Sequence, residues 1–256
     1  MIDSRAEVHA SAKIHQDVHI GPWTVIGPDV EIGEGTWVGP HVVINGPCKI
    51  GKNNKIFQFS SLGDAPQDLT YAGENTLLEI GDNNIIREYC MVNRGSLKGG
   101  GVTKIGNHNF LMAYVHIGHD CIVEDRTIFV NYAALSGHVT VKDYAIIGAY
   151  AAVHQFCTIG AHAFVAKATY VTKDVLPYIL VDGHSPIVCG INTVGLKRRG
   201  FSTETLTFLK RAYKIIFRKA LTVSQAIEEL TPMVSTCPEI QPLIDGMNHA
   251  KRGIVR

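Results

Sequence analysis

No stretch of this chain approaches the roughly 18 apolar residues that a membrane span requires, so no spanning helix is expected. The opening run, Met1-Ile-Asp-Ser-Arg-Ala-Glu7, lacks the basic-then-apolar pattern of a secretory signal, and the expected compartment is the cytoplasm. The six cysteines (Cys48, Cys90, Cys121, Cys157, Cys189, Cys237) form no Cys-x-x-Cys pair, which argues against a zinc ribbon and against a small disulfide framework. They are expected to be reduced, mostly small packing residues. Charge of one sign is also missing: 24 Lys and Arg face 23 Asp and Glu, and no nucleic-acid partner is expected. What is present is a 46% hydrophobic composition over 256 residues, enough for a substantial core in one large domain, alone or with a small appendage.

A branched aliphatic residue or Leu recurs every sixth position: Val8, Ile14, Ile20, Ile26, Ile32, Val38, Ile44, Ile50, Ile56, Leu62. The phase pauses over 63–79, returns at Ile80, Ile86 and Val92, and pauses again over 93–104. It then runs from Ile105 through Leu111, Ile117, Val123, Phe129 and Leu135 to Val171. A small residue commonly sits two positions earlier (Ala133, Ala145, Ala151, Cys157) and Gly often follows (Gly21, Gly27, Gly33, Gly148). A period of six fits neither the 3.6 of a helix nor simple alternation. It suits short strands joined by tight turns, with the repeating residue pointing into a narrow prism and Gly or Asn expected to supply the strained turn geometry. Coils then stack about 4.8 Å apart, each completing the hydrogen bonding of the one before.

The two pauses, 63–79 and 93–104, are expected as loops pushed out of one corner, and long loops on a rigid scaffold commonly serve binding. After about residue 192 helical spacing takes over. Leu206, Leu209, Tyr213 and Ile216 share one helical face, Thr222-Val-Ser-Gln225 is a candidate capping box, and Ile240, Leu243, Ile244 and Met247 form a third apolar face. The expected organisation is therefore a coil over 1–192 and a small helical domain over 193–256. Residues 197 to 256 hold 11 Lys and Arg against 5 Asp and Glu, which suggests an acidic partner; on charge alone a solvated helix face is the simpler reading.

The chemistry concentrates in His116-Ile-Gly-His119-Asp120, Gly137-His138 and His154-Gln155. With eighteen residues per coil, positions 118, 136 and 154 superpose, so His119, His138 and His154 are expected at one corner over successive rungs. A neutral imidazole suits taking a proton from a hydroxyl near pH 7, and an adjacent carboxylate can fix its tautomer. His119 with Asp120 matches that description, and Gly137 would leave its N–H uncovered for a developing oxyanion. A single His on a turn would more often be a surface residue; convergence of several changes the balance.

The hexads are the pattern of the left-handed parallel β-helix family, and the resemblance implies the handedness. More specific are Gln67-Asp-Leu-Thr-Tyr-Ala-Gly-Glu74, Arg94-Gly95, Gly99-Gly-Gly101, His116-Ile-Gly-His-Asp120, Gly137-His138, Ala152-Val-His-Gln-Phe-Cys157, Ile159-Gly-Ala-His162 and Gly195-Leu-Lys-Arg-Arg-Gly-Phe201. Together these resemble the acyl-carrier-protein:UDP-N-acetylglucosamine O-acyltransferases along the whole chain. The resemblance implies an all-β left-handed parallel β-helix with a small C-terminal α-helical domain. His119 would be a general base activating the glucosamine 3-hydroxyl toward a (3R)-hydroxyacyl thioester, with Asp120 orienting it and the Gly137 N–H receiving the oxyanion. It also implies that Asp68 holds the acyl hydroxyl, that Gln67, His116, His138, His154 and Gln155 line the site, and that Asn192 and Arg198 hold the nucleotide. No covalent intermediate, cofactor or metal is implied. The implied partners are an acidic acyl carrier protein on the basic tail, a UDP-amino sugar, and two further copies in a homotrimer with sites between subunits.

Thr70 stands where the family commonly has Lys, Val194 where it has Glu, and Lys167 and Ser185 replace a small residue and a His that help set acyl length. Acyl length, and a 3-hydroxyl against a 3-amino acceptor, stay open. Competing readings are the later N-acyltransferase of the same pathway, a zinc enzyme like the γ-class carbonic anhydrases, and a catalytically silent β-helix acting as an assembly subunit.

Overall fold

The computed structural model describes residues 1–256. Strands of mostly two residues stack into three parallel sheets that form the faces of a prism. Face one holds nine strands, from Glu7–Val8 to Tyr170–Val171; face two holds eight, from Lys13–Ile14 to Thr158–Ile159; face three holds ten, from His19–Ile20 to Ile187–Ile191. Each strand pairs with the strand one coil later, as Val25 does with Val43 and Ile26 with Ile44. The architecture is a left-handed parallel β-helix carrying a small set of C-terminal helices. The hexad residues fill the interior: Ile20, Val38, Ile44, Leu62, Ile117, Phe129 and Val165 are fully buried. Val8 and Ile14 are only half-buried, because the first coil has a neighbour on one side alone.

The turns meet expectation in part. Apart from Gly63, the glycines that follow the hexad residues do not carry the left-handed backbone; it falls two residues later. At the corner between faces two and three it falls on Gly35, Asn53 and Asn83, as anticipated for Gly and Asn, but at the corner between faces three and one on Trp23, His41, Phe59, Tyr89, Tyr114, Tyr132 and Tyr150. Glycine is needed at the earlier position for proximity: a Cβ on Gly21 would lie 2.7 Å from the Pro40 nitrogen, and one on Gly148 2.7 Å from the Ala166 carbonyl carbon. A bulky residue at positive φ costs roughly 1–2 kcal/mol. The rings offset this by stacking rung on rung at centroid spacings of 4.7 Å (Tyr89 on Tyr114), 4.6 Å (Tyr114 on Tyr132) and 4.7 Å (Tyr132 on Tyr150), contacts worth about 0.5–1.5 kcal/mol each.

Two excursions leave the corner between faces one and two. Ile50 pairs with Ile80 rather than with residue 68, and Ile80 with Ile105 rather than with residue 98, so extra chain is extruded after Asp64 and again after Asn93. The strands Leu77–Ile80 and Val102–Ile105 belong to face two, which makes both extrusions shorter than the pauses in the hexads. Arg94 ties them together, donating to the Gly63 carbonyl (2.9 Å) and the Tyr71 hydroxyl (2.9 Å), while Lys98 donates to Thr70 Oγ1 (2.8 Å).

At the far end, Ile179–Asp182 and Ile187–Ile191 form an antiparallel hairpin on face three. Four helices follow: α1 (Thr193–Arg198), α2 (Thr203–Arg218), α3 (Val223–Leu230) and α4 (Gln241–His249). Leu206, Leu209 and Ile216 of α2 are buried as the spacing anticipates, joined by Ala212 and Ile215. Thr222 and Gln225 form the capping box. The chain returns to the prism where Ile254 bridges Asp174. No helix is long and apolar enough to cross a membrane.

Candidate active site

His119 and Asp120 occupy the corner between His116–Ile117 on face one and Ile122–Val123 on face two, the corner from which both excursions leave. Asp120 has φ 59°, which turns its carboxylate away from solvent; the side chain is fully buried. His119 Nδ1 lies 2.7 Å from Asp120 Oδ2. Asp120 Oδ1 accepts from the Ser96 N–H (2.8 Å), Oδ2 from the Ser96 hydroxyl (2.7 Å), and the Asp120 N–H donates to Thr103 Oγ1 (2.8 Å). A carboxylate accepts hydrogen bonds only, so the ring nitrogen that faces it, Nδ1, is the donor, and in the neutral imidazole the lone pair is then on Nε2.

Successive coils stack residue on residue: Ile117 pairs with Leu135 and Leu135 with Val153. Residues 119, 137 and 155 therefore form one column and 120, 138 and 156 the next. His138 falls beside Asp120, its Nε2 3.8 Å from Oδ2, its ring edge-on to His119 (5.2 Å) and stacked on Phe156 (4.5 Å). Burial pushes the His138 imidazole below the ordinary histidine range, and His119 adds to this while Asp120 opposes it. Burial likewise lowers His116, with a smaller push from His119, and its Nδ1 has no hydrogen-bond partner. Both rings are thereby favoured as neutral groups near pH 7. Gly137 lies against the His119 ring: a Cβ there would sit 2.7 Å from Cε1 and 2.8 Å from Nε2. No hydrogen bond within the chain uses the Gly137 N–H.

The first excursion brings Gln67 and Asp68 over this corner. Gln67 Nε2 donates to Met91 Sδ (3.1 Å), and Met91 pairs with His116. The Thr70 N–H and hydroxyl hydrogen bonds hold the Asp68 carboxyl below its ordinary range, with smaller contributions from Lys98 and His119.

His154 and Gln155 lie on the next rung, and the His154 ring stands apart from the His119–Asp120–His138 group. It meets the Gln155 carbonyl (3.2 Å) and approaches Tyr170 edge-on (6.5 Å), because residue 154 precedes the stacked column by one position. Asn192 and Arg198 are not brought to His119 within one chain. Asn192 is buried at the corner between faces two and three, donating to the His162 carbonyl (3.0 Å) and capping α1 at the Gly195 N–H (3.1 Å). Arg198 is exposed in the last turn of α1. Beside it Arg199 lies over the Tyr144 ring (4.5 Å), and Tyr144 stacks on His162.

Sequence reasoning missed Ser96 and Thr103, and it quoted Gly99 only as part of a motif, without a contact to Asp120. The signal for Ser96 and Gly99 was the Gly-Ser-Leu-Lys-Gly-Gly-Gly run, whose folding back on Asp120 no periodicity could announce. The donor atoms of His119, Asp120 and His138 all lie within 4.8 Å of one another, close enough to hold a cation. Nδ1 and Oδ2 are spent on each other and both carboxylate oxygens on Ser96, so ligation would have to break those contacts. A separate groove of about 850 Å³ crosses the outside of face two over Lys13, Glu31, Lys49, Glu79 and Lys104. Its charges alternate from rung to rung and pair with each other, and it contains none of the residues just described.

Comparison with known proteins agrees with this geometry. A family profile described as UDP-N-acetylglucosamine O-acyltransferase, domain 2, matches residues 174–255, and bacterial transferase hexapeptide repeats match 11–46, 29–63 and 103–137. The chain is 52% identical over 255 residues to an acyl-[acyl-carrier-protein]–UDP-N-acetylglucosamine O-acyltransferase of Thiobacillus denitrificans, covering 100% of this chain and 99% of that one. A crystal structure of UDP-N-acetylglucosamine O-acyltransferase from Moraxella catarrhalis is 43% identical, with a TM-score of 0.98 over 100% of this chain and 99% of that one. The Arabidopsis UDP-N-acetylglucosamine acyltransferase is 32% identical, with a TM-score of 0.89 and full coverage of both chains. On sequence, fold and corner geometry together, the chain belongs to the acyl-[acyl-carrier-protein]–UDP-N-acetylglucosamine O-acyltransferase family and is an acyltransferase.

Proposed function

We propose that the protein moves a (3R)-hydroxyacyl chain from the thioester of acyl carrier protein to the 3-position of UDP-N-acetylglucosamine or its 3-amino analogue, the first step of lipid A synthesis, in the cytoplasm. The observation that carries this reading is the His119–Asp120 contact. Its carboxylate is fully buried and saturated by Ser96, which leaves Nε2 as the free end of the pair. In the proposed step Nε2 takes the proton of the sugar 3-hydroxyl as its oxygen forms a bond to the thioester carbonyl carbon. The carbonyl electron pair collects on oxygen, which the unused Gly137 N–H receives. The carbon–sulfur bond then breaks, the imidazolium returns its proton to the departing thiol, and an ester and a free carrier thiol result. Asp120 steadies the imidazolium between the two transfers.

The other residues follow from position. Asp68, ionised beside Thr70, accepts the acyl hydroxyl; Gln67, His116, His138, His154 and Gln155 line the approach. Asn192 and Arg198 act on the nucleotide from a neighbouring copy, since within one chain they belong to a different corner. The column of exposed rings from Trp23 through Phe59, Tyr89, Tyr114, Tyr132 and Tyr150 supports a trimer packed along that edge. Residues 1–192 serve as scaffold and site, while 193–256, with Lys210, Arg211, Lys214 and Arg218, receive the acidic carrier protein.

His119→Ala tests the reading. Turnover of hydroxyacyl carrier protein with the UDP sugar is expected to fall by about 10²–10⁴ with an unchanged circular dichroism spectrum. Retention of wild-type turnover would remove His119 from the role of base.

A further inference from the structure

The reading just given takes the Ser96–Asp120 contact as it stands and gives Ser96 no part of its own in the transfer, yet the second excursion supplies most of what holds Asp120. We propose that Ser96 is a positioning residue for the transfer: its hydroxyl and N–H lock the Asp120 carboxylate so that His119 presents a bare Nε2. The inference rests on the assignment of His119 as base.

Ser96 immediately precedes the 3-10 turn Leu97–Gly99, at φ −121° and ψ 153°, where a serine hydroxyl ordinarily caps its own turn. Here it makes no such cap and is directed to Asp120 Oδ2 at 2.7 Å. The residue is buried, and both of its donors go to one carboxylate. Gly99 seals the arrangement from above: a Cβ there would lie 2.1 Å from Asp120 Cγ, so only a bare backbone lets the loop close over the carboxylate. Thr103, on the face-two strand to which the excursion returns, holds the Asp120 N–H. A turn that gives up its own cap to saturate a buried carboxylate is organised around that carboxylate.

The Ser96 hydroxyl takes up charge on Oδ2 that its removal would return to the contact with His119 Nδ1, and it sits at 2.7 Å from Oδ2 while His138 Nε2 stands off at 3.8 Å. The titratable and charged groups facing His119 are Asp120, His138 on the next coil, His116 on face one and Asp68 from the first excursion. Of these only Asp120 makes a hydrogen bond to the ring.

The test compares Ser96→Ala, Ser96→Cys and Ser96→Thr by two readouts. In the substrate-free protein, ¹⁵N imidazole spectra are expected to show His119 with the proton on Nδ1 in wild type and Ser96→Thr, and a mixed or altered pattern in Ser96→Ala. In turnover, the acid limb of the kcat/KM profile is expected to move to higher pH by about one unit in Ser96→Ala and to return in Ser96→Thr. Ser96→Cys, close to serine in size but a weak donor, is expected to shift in the same direction and serves should the alanine variant fail to fold. Wild-type spectra and an unmoved acid limb in both donor-deficient variants would overturn the proposal. So would a uniform loss of kcat with the limb in place, which is the mark of a merely structural serine. The spectra require no acyl transfer, so they stand apart from any failure of the proposed reaction.

Discussion

Replacing Gly137 by alanine separates the function of the corner from its stability. The backbone there does not adopt positive φ, so alanine meets no conformational penalty. The new methyl would sit 2.7 Å from His119 Cε1 and 2.8 Å from Nε2, whereas ordinary carbon contacts lie at about 3.5–4.0 Å. The imidazole must therefore retreat by about 1 Å, and since Nδ1 is pinned to Asp120 at 2.7 Å, the free Nε2 end must move most. The obstructing atoms are the tip of one side chain, so little stability is lost. A misplacement of about 1 Å at a reacting group can cost about 10²-fold in rate. Gly137→Ala is expected to keep its melting temperature within a few degrees while kcat/KM, followed by radiolabelled acyl transfer, falls about a hundredfold. The N–H of residue 137 survives the change, which isolates the base from the oxyanion donor. Wild-type kcat/KM would refute the placement of the His119 ring over residue 137.

The exposed aromatic edge gives a second prediction: Tyr132→Asp, stacked between Tyr114 and Tyr150, is expected to convert the proposed trimer into monomers by light scattering and to abolish activity; a trimeric, active variant would contradict the proposed interface. Burial pushes the thiols of Cys48, Cys90 and Cys121 up to about 12, and a raised value means scarce thiolate below it. Iodoacetamide at pH 8 is therefore expected to modify the native protein at exposed Cys189 alone, and mass spectrometry showing adducts on those three residues would contradict their burial. Exhaustive chelation is expected to leave acyl transfer intact, whereas loss restored by zinc would give His119, Asp120 and His138 a ligating role instead.

The coil was legible because each rung repeats one steric demand: Ile20, Ile44 and Phe129 recur in phase since each plugs the same narrow interior. Eighteen-residue counting also brought His138 to the corner of His119, the two lying in neighbouring columns. His154 reaches the same corner one coil further on, but one position earlier in the turn, where its ring meets the Gln155 carbonyl and approaches Tyr170. The identity of the turn residues was legible in part. Local preference for Gly or Asn at positive φ holds at Gly35, Asn53 and Asn83, whereas at the corner between faces three and one stacking between coils outweighs it and selects Tyr89, Tyr114 and Tyr132. Ser96 lay in a segment where the repeat is suspended, so its contact with Asp120 depends on how an extruded loop folds back, which no period encodes. Asn192 was singled out for the nucleotide, and its side chain also caps α1, a local task its place before Thr193 permitted.

A crystal structure with the acylated UDP sugar bound tests the central claim most directly. The account predicts the oxygen or nitrogen at the sugar 3-position within about 2.6–3.2 Å of His119 Nε2, with Nδ1 still on Asp120 and Arg198 of an adjoining copy at the phosphates. A product lodged instead in the groove over Lys49 and Glu79, or turned so that its 3-position faces away from His119, would contradict it.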